Sequence, residues 1–169
     1  MPKIAPYLKG RSVWCFSDGF ESEFTKWFIA NFDAIGLHKL LCTSQTPDGG
    51  LAILKEAGQV VKSLKLKNDG SLFSVEVHEL SKGCDVVVTN PPFSGMHSIL
   101  RFISDRDLDY AVIAPFFTIN TLAEEHSKPT RLYRLLSNEF IIPDAAAHRF
   151  SNATPYSLDP NRGLAVHIC

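Results

Sequence analysis

The stretch "DVVVTNPPFSG", Asp85 to Gly95, restricts what this chain can fold into more than any other. From Val86 to Thr89 no charged residue alternates with the valines. A strand with one face in water alternates; a strand without alternation is buried on both faces. Burial on both faces requires helices above and below a sheet, which is the architecture of α/β domains. The strand must then stop abruptly. Pro91 and Pro92 cannot donate to a ladder, and Pro91 restricts Asn90 to extended backbone.

The rest of the chain reads in the same sense. "SVWCF", Ser12 to Phe16, predicts a first strand. Asp18 followed three residues later by Glu21 predicts a capping box that opens a helix. That helix carries Phe20, Phe24, Trp27, Phe28, Asn31 and Ile35 near helical spacing and stops at Gly36. Its Phe24, Trp27, Phe28 and Ile35 are expected in the core. "LHKLLCTS" is the second strand. Leu51–Ser63 fits a helix or a hairpin turning at "EAG"; the alternation Leu64, Lys65, Leu66, Lys67 before "NDG" favours at least one strand. A short helix is expected from Ser71 or Ser74 to Ser81, and another over roughly Met96–Ser104. "DYAVIAPF" predicts a second buried strand. Helices near Thr121–His126 and Pro129–Asn138, then strands at "EFIIP" and "GLAVHIC", complete the series. Strands alternating with helices predict a single α/β domain over residues 1–169, with a mainly parallel sheet and flanking helices. Ligands of such sheets bind beyond the carboxyl ends of the strands. "SDG" and "NPPF" both follow strands, so both should open onto one rim and form one site.

Composition fits a packed domain: 45% hydrophobic against 21% charged over 169 residues leaves little case for disorder. No apolar run approaches a membrane span, and "MPKIAPYLKGRS" lacks the apolar core of a signal peptide, so cytoplasmic residence and no membrane association are expected. Cys15, Cys42, Cys84 and Cys169 form no CxxC pair, and three lie in or beside apolar runs, which predicts reduced core cysteines. The histidines show neither HxxxH nor HxH spacing, so no metal site is expected. A net charge of −1 argues against a strong grip on a nucleic-acid backbone. The basic clusters, Lys62, Lys65 and Lys67, then Lys128, Arg131 and Arg134, read first as solvated faces.

The chemistry of Asn-Pro-Pro-Phe is that of an acceptor site. Neither proline has a backbone donor. What remains is the side-chain oxygen of Asn90 and the carbonyl of Pro91, with the ring of Phe93 beside them. Two converging acceptors and a stacking plane suit an exocyclic NH2 on a flat base. They take its protons in hydrogen bonds and leave its nitrogen electron-rich and aimed, ready to attack a methyl sulfonium in line. A duplex base would have to be flipped out to reach them. The plain alternative is a rigid loop after a core strand, with Phe93 packed inward.

"DVVVTNPPFS" resembles the catalytic motif of amino-group DNA methyltransferases that use S-adenosylmethionine, and more narrowly the EcoRI-type adenine-specific methyltransferases. "YLKGRSVWCFSDGFESEFTKWFIANFDAIGLHKLLCTS" is similar to that family's first strand, helix and second strand, and "NDGSLFSVEVHELSKGCDVVVTNPPFS" to its run into the catalytic loop. The similarity covers roughly Tyr7 to Phe102. It implies a Rossmann-like S-adenosylmethionine-dependent fold, an adenine amino group as acceptor, and Asn90, Pro91, Pro92 and Phe93 as the base-holding residues. Cofactor is expected at the rim made by Phe16, Ser17, Asp18 and Gly19, by Thr43 to Gln45, and by Asn90. A strand-end acid such as Asp18 is well placed to accept ribose hydroxyls, or to serve as an ordinary helix N-cap.

The chain also departs from the family. A pair of acidic residues followed by proline is replaced by the single Asp18 of Phe16-Ser17-Asp18-Gly19-Phe20. The family's Gly-Asp-Phe becomes Gly70-Ser71-Leu72. Its segment ahead of the first strand and its later DNA-reading region have no counterpart here, so no separate target-recognition domain is expected. Two function classes follow. One is an enzyme transferring methyl from S-adenosylmethionine to adenine in DNA, weak on DNA alone and completed by a protein partner or a homo-oligomer. The other is a catalytically inactive methyltransferase-like module, a decoy or regulator acting against restriction–modification or defence machinery. The intact loop favours the enzyme.

Overall fold

The structure, a computed structural model, describes residues 5–115, 131–134 and 164–168. The expected helix at Thr121–His126 and strand "EFIIP" lie outside these, as does Cys169. In chain order the elements are α1 (Ala5–Leu8), β1 (Ser12–Phe16), α2 (Glu23–Ile35), β2 (Lys39–Thr46), β3 (Gly49–Glu56) and β4 (Lys62–Leu66). They continue with α3 (Val75–Leu80), β5 (Val86–Thr89), a 3-10 turn at Phe93–Gly95, α4 (Met96–Asp105), β6 (Asp109–Pro115), β7 (Arg131–Arg134) and β8 (Leu164–Ile168).

Among the described residues these strands form one sheet in the order β4-β3-β2-β1-β5-β6-β8-β7. Its centre is parallel: β1 pairs with β2 and β5, and β5 with β6. Its flanks are antiparallel, with β3 against β2 and β4, and β8 against β6 and β7. The expectation of a mainly parallel sheet is therefore corrected to a mixed one. Connection length explains the near flank. Only Pro47 and Asp48 separate β2 from β3, and so short a link permits only an antiparallel hairpin.

Alternation along β1 sorts the core into two layers. Trp14 and Phe16 face α3 and α4, packed with Leu41, Val87, Leu100, Ile103 and Tyr110. Val13 and Cys15 face α1 and α2, packed with Leu8, Phe28, Phe32, Leu40, Cys42 and Val88. Every residue of β1 and β5 is buried, as the absence of alternation in "VVVT" requires. Cys15, Cys42 and Cys84 are free and buried. At the amino ends of the parallel strands, Arg11 binds Asp109 (Nη2 to Oδ2, 2.7 Å) and Asp85 (Nε to Oδ2, 3.3 Å), tying β1, β5 and β6 together.

Several local expectations change. Asp18 does not cap a helix: Ser22 is the N-cap of α2, its Oγ accepting from the N–H of Phe24 at 3.2 Å. Asp18 is held instead between strand ends, so the helix starts later and Phe20 lies outside it, exposed. The stop at Gly36 stands; its φ of 74° lets the N–H of Leu37 reach back to Phe32. On α2 the buried aromatics are Phe28 and Phe32, while Phe24, Trp27 and Ile35 are only partly buried. Leu51–Ser63 is the hairpin, not the helix, turning through Gly58 at φ 74°. The helix expected at Pro129–Asn138 gives way to β7 over Arg131–Arg134, because β8 offers that segment an antiparallel partner. Among the described residues no helix is long and apolar enough to cross a membrane.

Candidate active site

After β1 the chain crosses through α2 to β2 on one side; after β5 it crosses through α4 to β6 on the other. The two helices pack on opposite faces of the sheet. Where connections diverge in this way, a crevice opens beyond the carboxyl ends of the two central strands. Its walls are residues 17–22 after β1 and residues 90–95 after β5. The sequence motifs "SDG" and "NPPF" thus follow neighbouring parallel strands on one rim.

The first wall is built around a buried carboxylate. Asp18 is 6% exposed. Its N–H donates to the carbonyl of Thr43 at 3.1 Å, and its carbonyl accepts from Thr25 Oγ1 at 3.4 Å. Oδ1 accepts from Ser22 Oγ at 2.5 Å, and Oδ2 lies 3.5 Å from Thr89 Oγ1. Burial pushes the carboxyl up to about 6, although the hydroxyls of Ser22 and Thr89 pull it down. Ser17 beside it has φ 62°, a left-handed backbone uncommon for a residue with a side chain. A perturbed acid next to strained backbone, in a crevice, has the character of a functional site.

The second wall is the rigid arm. Asn90 is exposed, Pro91 buried and Pro92 exposed. Pro92 has extended backbone, and its carbonyl accepts the N–H of Gly95 at 3.1 Å, starting the turn into α4. Phe93 is 41% exposed, so it does not pack inward as a core residue would. The Asn90 amide has no hydrogen-bond partner among the described residues.

The end of β2 closes the third side. Thr43 is buried, and its hydroxyl accepts from Trp14 Nε1 at 3.1 Å. The backbone there is closely packed, and at Gly70 it leaves no room for a side chain. A Cβ on Gly19 would lie 3.1 Å from Ser44 Oγ, and one on Gly70 would lie 2.4 Å from the Ser44 carbonyl oxygen. Gln45 donates to Asp69 at 3.1 Å, which fixes the loop after β4 beside the rim.

Of the residues singled out in the sequence, Ser17, Asp18, Gly19 and Asn90–Phe93 all lie on the crevice. Phe16 and Thr43 reach it through backbone, their side chains being committed to the core and to Trp14. Sequence reasoning missed Ser22, Asp69 and Thr89, while Ser44 falls within the expected Thr43–Gln45 rim. Asp69 carried a signal, the "NDG" turn. A threonine at a strand end has no pattern that marks it, and Ser22, a preferred N-cap type, was hidden by the capping box read at Asp18 and Glu21.

Comparison with known proteins agrees with the resemblance read from the motif. Residues 50–122 match the family described as adenine-specific methyltransferase EcoRI. The chain is 36% identical over 107 residues to the type II methyltransferase M.MpnI of Mycoplasma pneumoniae, a match covering 63% of this chain and 34% of that protein. It is 32% identical over 104 residues to M.MgeORF184P of Mycoplasma genitalium, covering 61% and 33%. It is 31% identical over 127 residues to M.EcoRI of Escherichia coli, covering 64% and 39%. The chain thus spans little more than a third of the length of these curated relatives. No solved structure matches it at a significant level.

Proposed function

We propose that the crevice between β1 and β5 binds S-adenosylmethionine in a Rossmann-like site and directs methyl transfer to the exocyclic amine of adenine in DNA. One observation supports the reading. The arm with exposed Asn90 and Phe93 and the buried acid Asp18 follow the carboxyl ends of adjacent parallel strands. The family description, adenine-specific, supports the choice of base.

The residues of the first wall fit the cofactor. Asp18 offers carboxylate acceptors for hydroxyls, and Gly19 keeps the adjacent backbone bare against Ser44. Phe16, Ser17 and Thr43 would line the site through backbone, and Asn90 would border it. When bound, S-adenosylmethionine supplies an electrophilic methyl group. The chain's own part is positioning. The Asn90 Oδ1 and the Pro91 carbonyl accept from the two amine hydrogens, which holds the nitrogen lone pair out of the base ring. Phe93 stacks on the base and keeps it flat. Pro91 and Pro92 hold the arm rigid, so little ordering remains to be done when the base enters.

The test is transfer of label from tritiated S-adenosylmethionine to DNA. Label should enter adenine-containing DNA and not DNA lacking adenine. Asn90→Ala should abolish it while changing stability by no more than about 0.5 kcal/mol, because the side chain is exposed. Cofactor binding without transfer at any protein concentration would favour the inactive, binding-only module. Unfolding of Asn90→Ala would reduce the loop to a structural role.

A further inference from the structure

The pairing of β1 with β5 is short toward the carboxyl end: Val13 sits opposite Val86 and Trp14 opposite Val87. Carried on by the same offset, the register would set Phe16 opposite Thr89. At that position a side chain makes the connection. The hydroxyl of Thr89 donates to the Phe16 carbonyl at 2.7 Å, and Thr89 is completely buried. The same oxygen lies 3.5 Å from Asp18 Oδ2, a weaker contact than the 2.7 Å bond to the Phe16 carbonyl.

We propose that Thr89 is a positioning residue, a latch that fixes the base-holding arm to the cofactor loop across the mouth of the crevice. Both partners are well placed for this. Thr89 immediately precedes Asn90, and the two prolines make the arm stiff from there to Phe93, so orientation set at Thr89 is passed to the whole arm. The Phe16 carbonyl immediately precedes Ser17, whose left-handed backbone turns the chain toward Asp18. One hydrogen bond therefore sets the relative placement of the two walls. The geometry stands on its own; its catalytic consequence rests on the methyl-transfer reading.

The test compares Thr89→Val, which keeps the shape and removes the donor, with Thr89→Ser, which keeps the hydroxyl. Amide hydrogen exchange of the free protein is followed in the two segments at Asp18 and Gly95, whose N–H groups donate to the Thr43 and Pro92 carbonyls, with α2 and β2 as internal references. In Thr89→Val, protection in both segments should fall about tenfold, as expected for one buried carbonyl left unsatisfied, while the references hold. Thr89→Ser should keep it. Unchanged protection in Thr89→Val, or an equal loss across the whole sheet, would overturn the latch. So would loss of loop protection in Thr89→Ser. If valine does not fold at this position, Thr89→Ala serves as the donor-free variant. A second readout separates positioning from binding. With tritiated S-adenosylmethionine and an adenine-containing oligonucleotide, the donor-free variant should lose kcat while KM for S-adenosylmethionine stays within about twofold; a rise in KM alone would contradict it. Should the wild type bind no S-adenosylmethionine at all, the functional proposal fails, and hydrogen exchange still decides the latch.

Discussion

Asp18 is the residue on which the site's electrostatics turn. It is buried beside Ser22 and Thr89, and desolvation raises its carboxyl from 3.8 to about 6. A raised acid works against the folded state once it ionises. Its contribution to stability is fully present below the unfolded value near 4 and is lost as pH rises through the folded value near 6. The whole effect is about 3 kcal/mol at most. The difference in stability between wild type and Asp18→Asn isolates it from other carboxylates. That difference should move against the wild type between about pH 4 and pH 6 and stay level above, as urea melts across this range would record. A difference independent of pH would show that Asp18 ionises freely. The sequence placed Asp18 on the rim but gave it the wrong local job, because an acid three residues before a glutamate looks like a capping box. Only tertiary structure shows that the carboxylate sits between Ser22, the N-cap of α2, and Thr89 at the end of β5 instead of capping the helix itself. The stiff turn at Asn90 to Phe93 was legible because two prolines leave so few conformations open.

At the scale of elements, hydrophobic pattern identified what is buried on both faces and was less informative at the edges. "SVWCF" and "VVVT" read correctly because helices cover both sides of them. The β3–β4 hairpin stayed ambiguous because an edge strand half in water carries the apolar density of a short helix. Trp27 was misread because spacing alone cannot tell the centre of an apolar stripe from its margin. Burial now moves the expected cost. Phe32→Ala should destabilise the protein by about 3–5 kcal/mol. Trp27→Ala, at the margin, should cost clearly less in the same denaturant titrations; equal losses would mean that α2 lies rotated from its described face. The β2 end makes a second prediction. A Cβ at Gly50 would lie 2.4 Å from the Gly70 backbone nitrogen, so Gly50→Ala must push residues 68–72 away from Ser44. The expected result is a melting temperature several degrees lower, together with weakened S-adenosylmethionine binding. Unchanged binding would show that this loop lies outside the cofactor site.

For the molecule as a whole, charge and site pull in different directions. A net charge of −1 gives little general attraction for phosphate. Lys62, Lys65 and Lys67 lie on or just beyond the edge strand β4, where lysines also protect an open sheet edge. The isolated chain should therefore bind duplex DNA at about 10⁻⁴ to 10⁻⁶ M in physiological salt, with little sequence preference. A protein partner or a second copy would supply the remaining grip. Gel shifts at several salt concentrations with light scattering test this, and a monomer holding one sequence at nanomolar strength would refute it. More depends on the rim of the sheet, where the β1–β5 crevice is proposed as a cofactor site. Calorimetric titration with S-adenosylmethionine tests it most directly. Saturable heat is expected, with a dissociation constant of about tens of micromolar, near −6 kcal/mol, lost or strongly weakened in Asp18→Ala. No heat and no thermal shift at millimolar S-adenosylmethionine would contradict it.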